Sequence, residues 1–232
     1  DRVGQALFPL ESGDEQRIGA MLRTTVLAES NVLADAHAAA RVRELALPIV
    51  DQRSRAAIEY TFDLLDDESV NAFALLGGHV FVDRGLLVLC TDDAALQFVL
   101  AHEIAHVDLE HCNRGFNYAE HARKTLGDVD ASLLIVAARL LGAGHTKELE
   151  FEADRWAYRA LRKAGRTHEE ACRGMDLLVR YEALHAVPPH DSRESGAPND
   201  EVARELDQHF RSHPPAVERL MRLQVLKDER PR

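Results

Sequence analysis

Apolar residues recur three and four apart near the start of the chain. Ile18, Met21, Leu22, Val26 and Leu27 are followed by an Ala-rich stretch with Val42, Leu45 and Leu47. That period predicts scaffold helices within residues 1–50. Pro48 ends or interrupts them, because its ring removes a ladder hydrogen bond. The pattern then changes. Residues 57–65 alternate in part, and 70–76 and 79–82 are short apolar runs, with a turn at 66–69 and a bend at Gly77-Gly78. These read as three strands of a small antiparallel sheet. Asp83 is placed to N-cap a helix over 84–89, and Thr91 or Asp92 to N-cap the next. From 93 to 112 no Gly or Pro intervenes, and Phe98, Val99, Leu100, Ile104 and Val107 fit a helix packed into a core.

Segment 113–130 is polar and aromatic and reads as a connection that could run over a cleft. The longest apolar run, 131–143, contains Arg139 and falls short of the roughly 20 residues a spanning helix needs. It reads as a buried helix, with a membrane-surface or re-entrant segment as the alternative. A helix is predicted from Thr146 to Gly165, and Thr167 with Glu170 forms a capping box for another through Met175, Leu177, Leu178 and Val179. Residues 185–200, rich in Pro, Ser and charge, predict a mobile loop. Pro215 then starts a last helix, with Val217, Leu220, Met221 and Val225 on one face.

Composition adds bounds but no partner. With 232 residues, the chain is read as a single domain, its core over 55–225 and the N-terminal helices as scaffold. The formal net charge of −11 argues against a nucleic-acid binder, which needs a basic face. Cys90, Cys112 and Cys172 form no disulfide framework and no Cys-x-x-Cys site. The chain begins at Asp1 without Met, which fits a mature secreted form or an excised domain. No run is long enough to span a membrane.

The chemistry lies in His102-Glu103-Ile104-Ala105-His106. Histidines four apart share one helix face and can hold a single zinc ion. Glu103 could then act as general base on a water at the metal. The bland alternative is a buried helix carrying two hydrogen-bonded histidines. A catalytic zinc needs a third protein ligand, and His111, Cys112, Glu148, Glu150, Glu152 and Asp154 are candidates. The metzincin pattern fails, since Leu109 stands where Gly is needed and Cys112 where the third His is needed. His111, five residues after His106, lies too far round the helix to join the pair and reads as a surface residue or one behind a ligand. On the later helix, Glu150 and Asp154 share a face while Glu152 points elsewhere.

Five ordered stretches resemble the gluzincin metallopeptidase family forty-eight, which includes HtpX, the CAAX prenyl protease and BepA. They are Val70-Asn71-Ala72-Phe73-Ala74, Gly77 to Val82 with Arg84-Gly85-Leu86-Leu87, the His102–His106 motif, Glu150-Phe151-Glu152-Ala153-Asp154-Arg155, and His213-Pro214. The resemblance implies an α+β, predominantly helical zinc peptidase with a small sheet beside the active-site helix. It implies one zinc per chain on His102, His106 and Glu150, with Glu103 as general base and Asp154 as the acid behind a ligand. His213 resembles a family histidine near the metal, although a helix-start His beside prolines is an equal reading. Asn71, Gly78 and His79 are the candidate substrate-binding residues. The sheet edge could align an extended peptide, or the strands could only cap the core. Leu76 departs from the proline that many members carry, and 185–200 looks like an insertion. The expected function is a zinc endopeptidase acting on peptides or unfolded protein in quality control or processing, periplasmic or otherwise extracytoplasmic, or a domain of a membrane-associated protein. The alternative is a latent or inactive, chaperone-like zinc-binding module.

Overall fold

The computed structural model describes residues 12–113, 146–185 and 215–228. The predicted connection over 114–130, the apolar run 131–143, the loop over 186–200 and His213 lie outside the described residues. The described chain is mostly helical with one small sheet. Helices α1 (Ser12–Glu29) and α2 (Ala36–Val50) precede β1 (Thr61–Leu65), β2 (Ala72–Leu75) and β3 (His79–Asp83). Then come α3 (Arg84–Leu89), α4 (Asp93–Asp108), α5 (Lys147–Lys163), α6 (His168–His185) and α7 (Ala216–Gln224).

The sheet is mixed where a purely antiparallel one was expected. Its order is β1-β3-β2, with β3 antiparallel to β2 but parallel to β1. The bend over Leu76–Gly78 folds β3 back on β2, and β3 takes the central position, so β1 meets β3 head to head. Gly77 and Gly78 both have positive φ, 76° and 89°. Gly78 is held there by more than its turn, because a Cβ would stand 2.5 Å from the Glu59 carbonyl oxygen. Strand β2 is the outer strand among the described residues. Asp83 N–H donates to Asn71 O at 3.0 Å. Alternation along an antiparallel pair then turns the backbone groups of Ala72 and Ala74 outward.

Helix α4 is the axis of the core and packs against α2, α5, α6 and β2. Asp92 caps it by accepting from the backbone N–H groups of Ala94 and Ala95. Leu96, Leu100, Ala101, Ile104 and Ala105 are fully buried. Each large aliphatic among them contributes on the order of 1.5–3 kcal/mol relative to exposure. Its far end is tied down by charge: Asp108 accepts from the backbone N–H of Ser54 and of Arg55, and from Ser54 Oγ. Nearby, buried Glu15 of α1 pairs with Arg55 and accepts from Asn113 Nδ2. These contacts keep a helix with charged and imidazole side chains from shifting in register.

Two local expectations are revised. Asp83 precedes α3 but makes no cap bond; its carboxylate accepts from Ser69 Oγ at 2.6 Å instead. In α7 the buried face is Ala216, Arg219 and Leu223, while Val217, Met221 and Val225 are exposed. Hydropathy predicts the opposite orientation. The helix is rotated because Arg219 finds a carboxylate inside, and a satisfied buried ion pair outweighs the burial of Met221. The capping box forms as expected, with Glu170 N–H donating to Thr167 Oγ1 and Thr167 N–H to Glu170 Oε2. No helix among the described residues is long and apolar enough to cross a membrane.

Candidate metal centre

Helices α4 and α5 cross with their polar residues facing each other. From α4 come His102 and His106, one turn apart; from the first turn of α5 comes Glu150. The three are buried and their ligating atoms lie within 4.8 Å of one another. His102 Nε2 is 3.0 Å from His106 Nε2 and 3.4 Å from Glu150 Oε2, and His106 Nε2 is 3.5 Å from Glu150 Oε1. Donors about 2.1 Å from a tetrahedrally held zinc stand roughly 3.3–3.4 Å apart, so the triangle has the size the ion requires.

The opposite edge of each imidazole has its own partner. His102 Nδ1 lies 2.9 Å from Asp154 Oδ1, and His106 Nδ1 lies 3.1 Å from Nδ1 of buried His111. A proton on each Nδ1 leaves both Nε2 lone pairs directed at the centre, the arrangement metal-binding histidines use. Asp154 also accepts two bonds from Arg219 of α7, Nε to Oδ2 at 2.8 Å and Nη2 to Oδ1 at 2.6 Å. Arg219 is itself buried and its Nη2 is 3.6 Å from Glu150 Oε2. With both imidazoles neutral, as metal ligation requires, ionised Glu103, Glu150 and Asp154 against one guanidinium leave two net negative charges in a buried space. A divalent cation is the charge that balances them.

Electrostatics follow from this crowding. Burial alone would lower His102, but the hydrogen bonds to Asp154 and Glu150 outweigh it and raise the imidazole to about 9. Burial pushes the Glu103 carboxyl up to about 7, against the pull of His102 and Arg219 and a bond from the backbone N–H of Ala74. Burial would raise Asp154 too, yet the charge and hydrogen bonds of Arg219, with His102, hold it below the usual carboxylate range. A carboxyl whose burial favours its protonated form can take and return a proton.

The other sequence candidates fall in different places. Asn71 borders a small cavity beside His102 and Glu103, whose walls include Val70, Ala72, Phe98 and Leu178. Gly78 and His79 do not line that cavity. Gly78 abuts Glu59, and His79 Nδ1 is 2.8 Å from Thr61 Oγ1 within the sheet. Glu152 points away, half exposed, with Oε2 3.5 Å from His111 Nε2. His111 stays outside the ligand triangle, as expected, and of its two readings takes the one behind a ligand, not the surface one. Helix α4 stops at Asp108, and Glu110 takes a φ of 60°, so the next turn carries His111 back over His106. A continuous helix could not have done so. Arg219 was not anticipated. Its signal was its place on one helix face with Ala216 and Leu223, three residues after the one and four before the other.

Several known proteases are similar to the chain. The chain is 23% identical over 197 residues to the beta-barrel assembly-enhancing protease of Escherichia coli (strain K12), covering 78% of this chain and 40% of that protein. It is 28% identical over 156 residues to the metalloprotease LoiP of the same organism, covering 62% of this chain and 58% of LoiP. A shorter match, 48% identical over 54 residues, is to the mitochondrial metalloendopeptidase OMA1 of Bos taurus, covering 23% of this chain and 10% of OMA1. The chain therefore spans less than two thirds of the length of each of these relatives. The profile of peptidase family M48 matches residues 36–227, most of the sequence. The chain belongs to peptidase family M48.

Proposed function

We propose that this chain is a zinc-dependent endopeptidase that cleaves peptides or unfolded protein. The observation that carries the reading is the buried His102, His106 and Glu150 triangle, with Glu103 beside it and a net charge that a divalent cation completes. Held by those three residues, zinc supplies Lewis acidity, polarising the scissile carbonyl and the attacking water. Glu103 takes the proton from that water and passes it to the leaving amine, a role its raised pKa suits. Asp154 fixes His102 in the tautomer that presents Nε2, and Arg219 keeps Asp154 ionised.

Strand β2 is the support for an extended substrate. The outward N–H of Ala74 is engaged by Glu103, and its carbonyl faces Cys112 Sγ at 3.7 Å. Ala72 is therefore the residue of β2 that offers both backbone groups to a substrate strand, with Asn71 next to it at the cavity. For His213, which lies outside the described residues, the family resemblance alone implies a role near the metal. Similarity to beta-barrel assembly-enhancing proteases favours a role in protein quality control or processing, and a periplasmic or otherwise extracytoplasmic place is part of the same proposal.

The test pairs metal content with turnover. Protein purified without added metal should carry about one zinc per chain. Glu150→Ala should lose most of it. Glu103→Gln should keep the zinc and lose cleavage of an unfolded protein such as casein, a fall of at least about 100-fold for a general base. Full activity in Glu103→Gln refutes the mechanism. Full zinc occupancy in Glu150→Ala refutes the ligand set.

A further inference from the structure

We infer that His111 is the positioning residue for His106, holding that ligand in its Nδ1–H tautomer through an imidazole-to-imidazole hydrogen bond. The inference rests on the proposed zinc site and adds a residue to it. Three observations carry it. His111 is fully buried although it lies beyond the end of α4. Its Nδ1 is 3.1 Å from His106 Nδ1, and the rings meet edge to face with centroids 5.1 Å apart. The backbone reaches this arrangement through Glu110 at φ 60°, a left-handed conformation that costs a non-glycine residue free energy. Strain immediately before a buried imidazole aimed at a ligand is what a positioning device looks like.

Proton placement follows from the contact. If His106 gives its Nε2 lone pair to the centre, its Nδ1 carries the proton and donates. His111 Nδ1 must then accept, so His111 is protonated on Nε2, the edge that faces Glu152 Oε2 at 3.5 Å. The two histidine ligands are therefore oriented differently. His102 rests on a carboxylate neutralised by Arg219; His106 rests on a neutral imidazole that leads out to a half-exposed acid. The partner behind a ligand histidine contributes to metal affinity typically 10–100-fold.

The test uses an isosteric pair. Asn keeps an acceptor oxygen where Nδ1 stands, and Leu has the same shape without it. Zinc dissociation constants, from competition with a chromophoric chelator, are measured for wild type, His111→Leu and His111→Asn, together with the visible spectrum of each after cobalt substitution. His111→Leu should bind zinc 10–100-fold more weakly and shift the cobalt bands, and His111→Asn should recover most of both. Wild-type affinity and spectrum in His111→Leu would overturn the inference. So would an equal loss in Leu and Asn, which would make shape, not the acceptor, the cause. Should the variants not fold, nitrogen-15 NMR of zinc-loaded wild type decides, because the bond predicts a scalar coupling between Nδ1 of His106 and Nδ1 of His111. A missing coupling refutes it. A wild-type chain that binds no zinc refutes the metal centre and this inference together, whereas normal zinc binding unaffected by His111 refutes this inference alone.

Discussion

Arg219→Met removes the guanidinium from a site that is otherwise all carboxylate and imidazole, while keeping most of the side chain's apolar bulk. In the structure Arg219 is 5% exposed and makes two short bonds to Asp154, which is 2% exposed. Breaking one partner out of a buried pair costs about 3–5 kcal/mol, because the remaining charge has neither water nor counter-ion. For a chain of this size each kcal/mol moves the melting midpoint by roughly 2–4 °C, so a fall of about 6–20 °C is expected. The loss should be largest after chelation. Arg219→Met then leaves three carboxyls with only the His102 imidazole to counter them, whereas bound zinc returns two positive charges. Asp154→Asn combined with Arg219→Met should be less damaging than the sum of the two, with a coupling of about 2–3 kcal/mol. The sign with pH is also set. Asp154 is depressed in the folded chain, so its contribution is present above its ordinary value of 3.8 and is lost as pH falls through the folded value. Without Arg219 that loss should begin at higher pH. Urea denaturation of the four proteins, with and without chelator, measures all of this. A coupling below about 0.5 kcal/mol would mean that solvent screens the pair, and the account of α7's orientation would fail.

Chelation of the wild type should abolish cleavage and lower the melting midpoint, and zinc at about 1,000 times its dissociation constant should restore about 4 kcal/mol; an unchanged midpoint counts against a metal site in the core. Gly78→Ala forces a side chain into φ 89° and within 2.5 Å of the Glu59 carbonyl, so a loss of about 1–3 kcal/mol in urea is expected, and wild-type stability would contradict the bend's geometry. Burial, helped by the charge of Arg23, lowers the pKa of His79 below its ordinary 6.5. The folded chain then binds fewer protons than the unfolded one just below 6.5, so wild type should lose stability as pH falls through that region and His79→Asn should lose less. Parallel slopes in the two proteins would disprove it.

Helix positions and the histidine pair were legible because they depend on local spacing, whereas Glu150 came from the family resemblance, since spacing left several third ligands open. His102 and His106 share a face through the helical period alone, and Thr167 with Glu170 form their cap within four residues. The mixed sheet was not legible. Which strand takes the centre is decided by packing on α4, and strands as short as His79–Asp83 carry no signal for parallel or antiparallel pairing. The turn that carries His111 over His106 was not legible, because nothing in Leu109-Glu110-His111 announces a left-handed residue. The face of α7 was misjudged for a third reason. Hydropathy ranks Arg219 as the residue to expose, and only the Asp154 carboxylate 65 positions earlier makes the interior its better place.

That long separation also orders events during synthesis. At about 5–20 residues per second, Arg219 leaves the ribosome roughly 3–13 s after Asp154. Throughout that interval the Asp154 carboxylate lacks its guanidinium, so the charge balance around His102 is completed only when the last helix arrives.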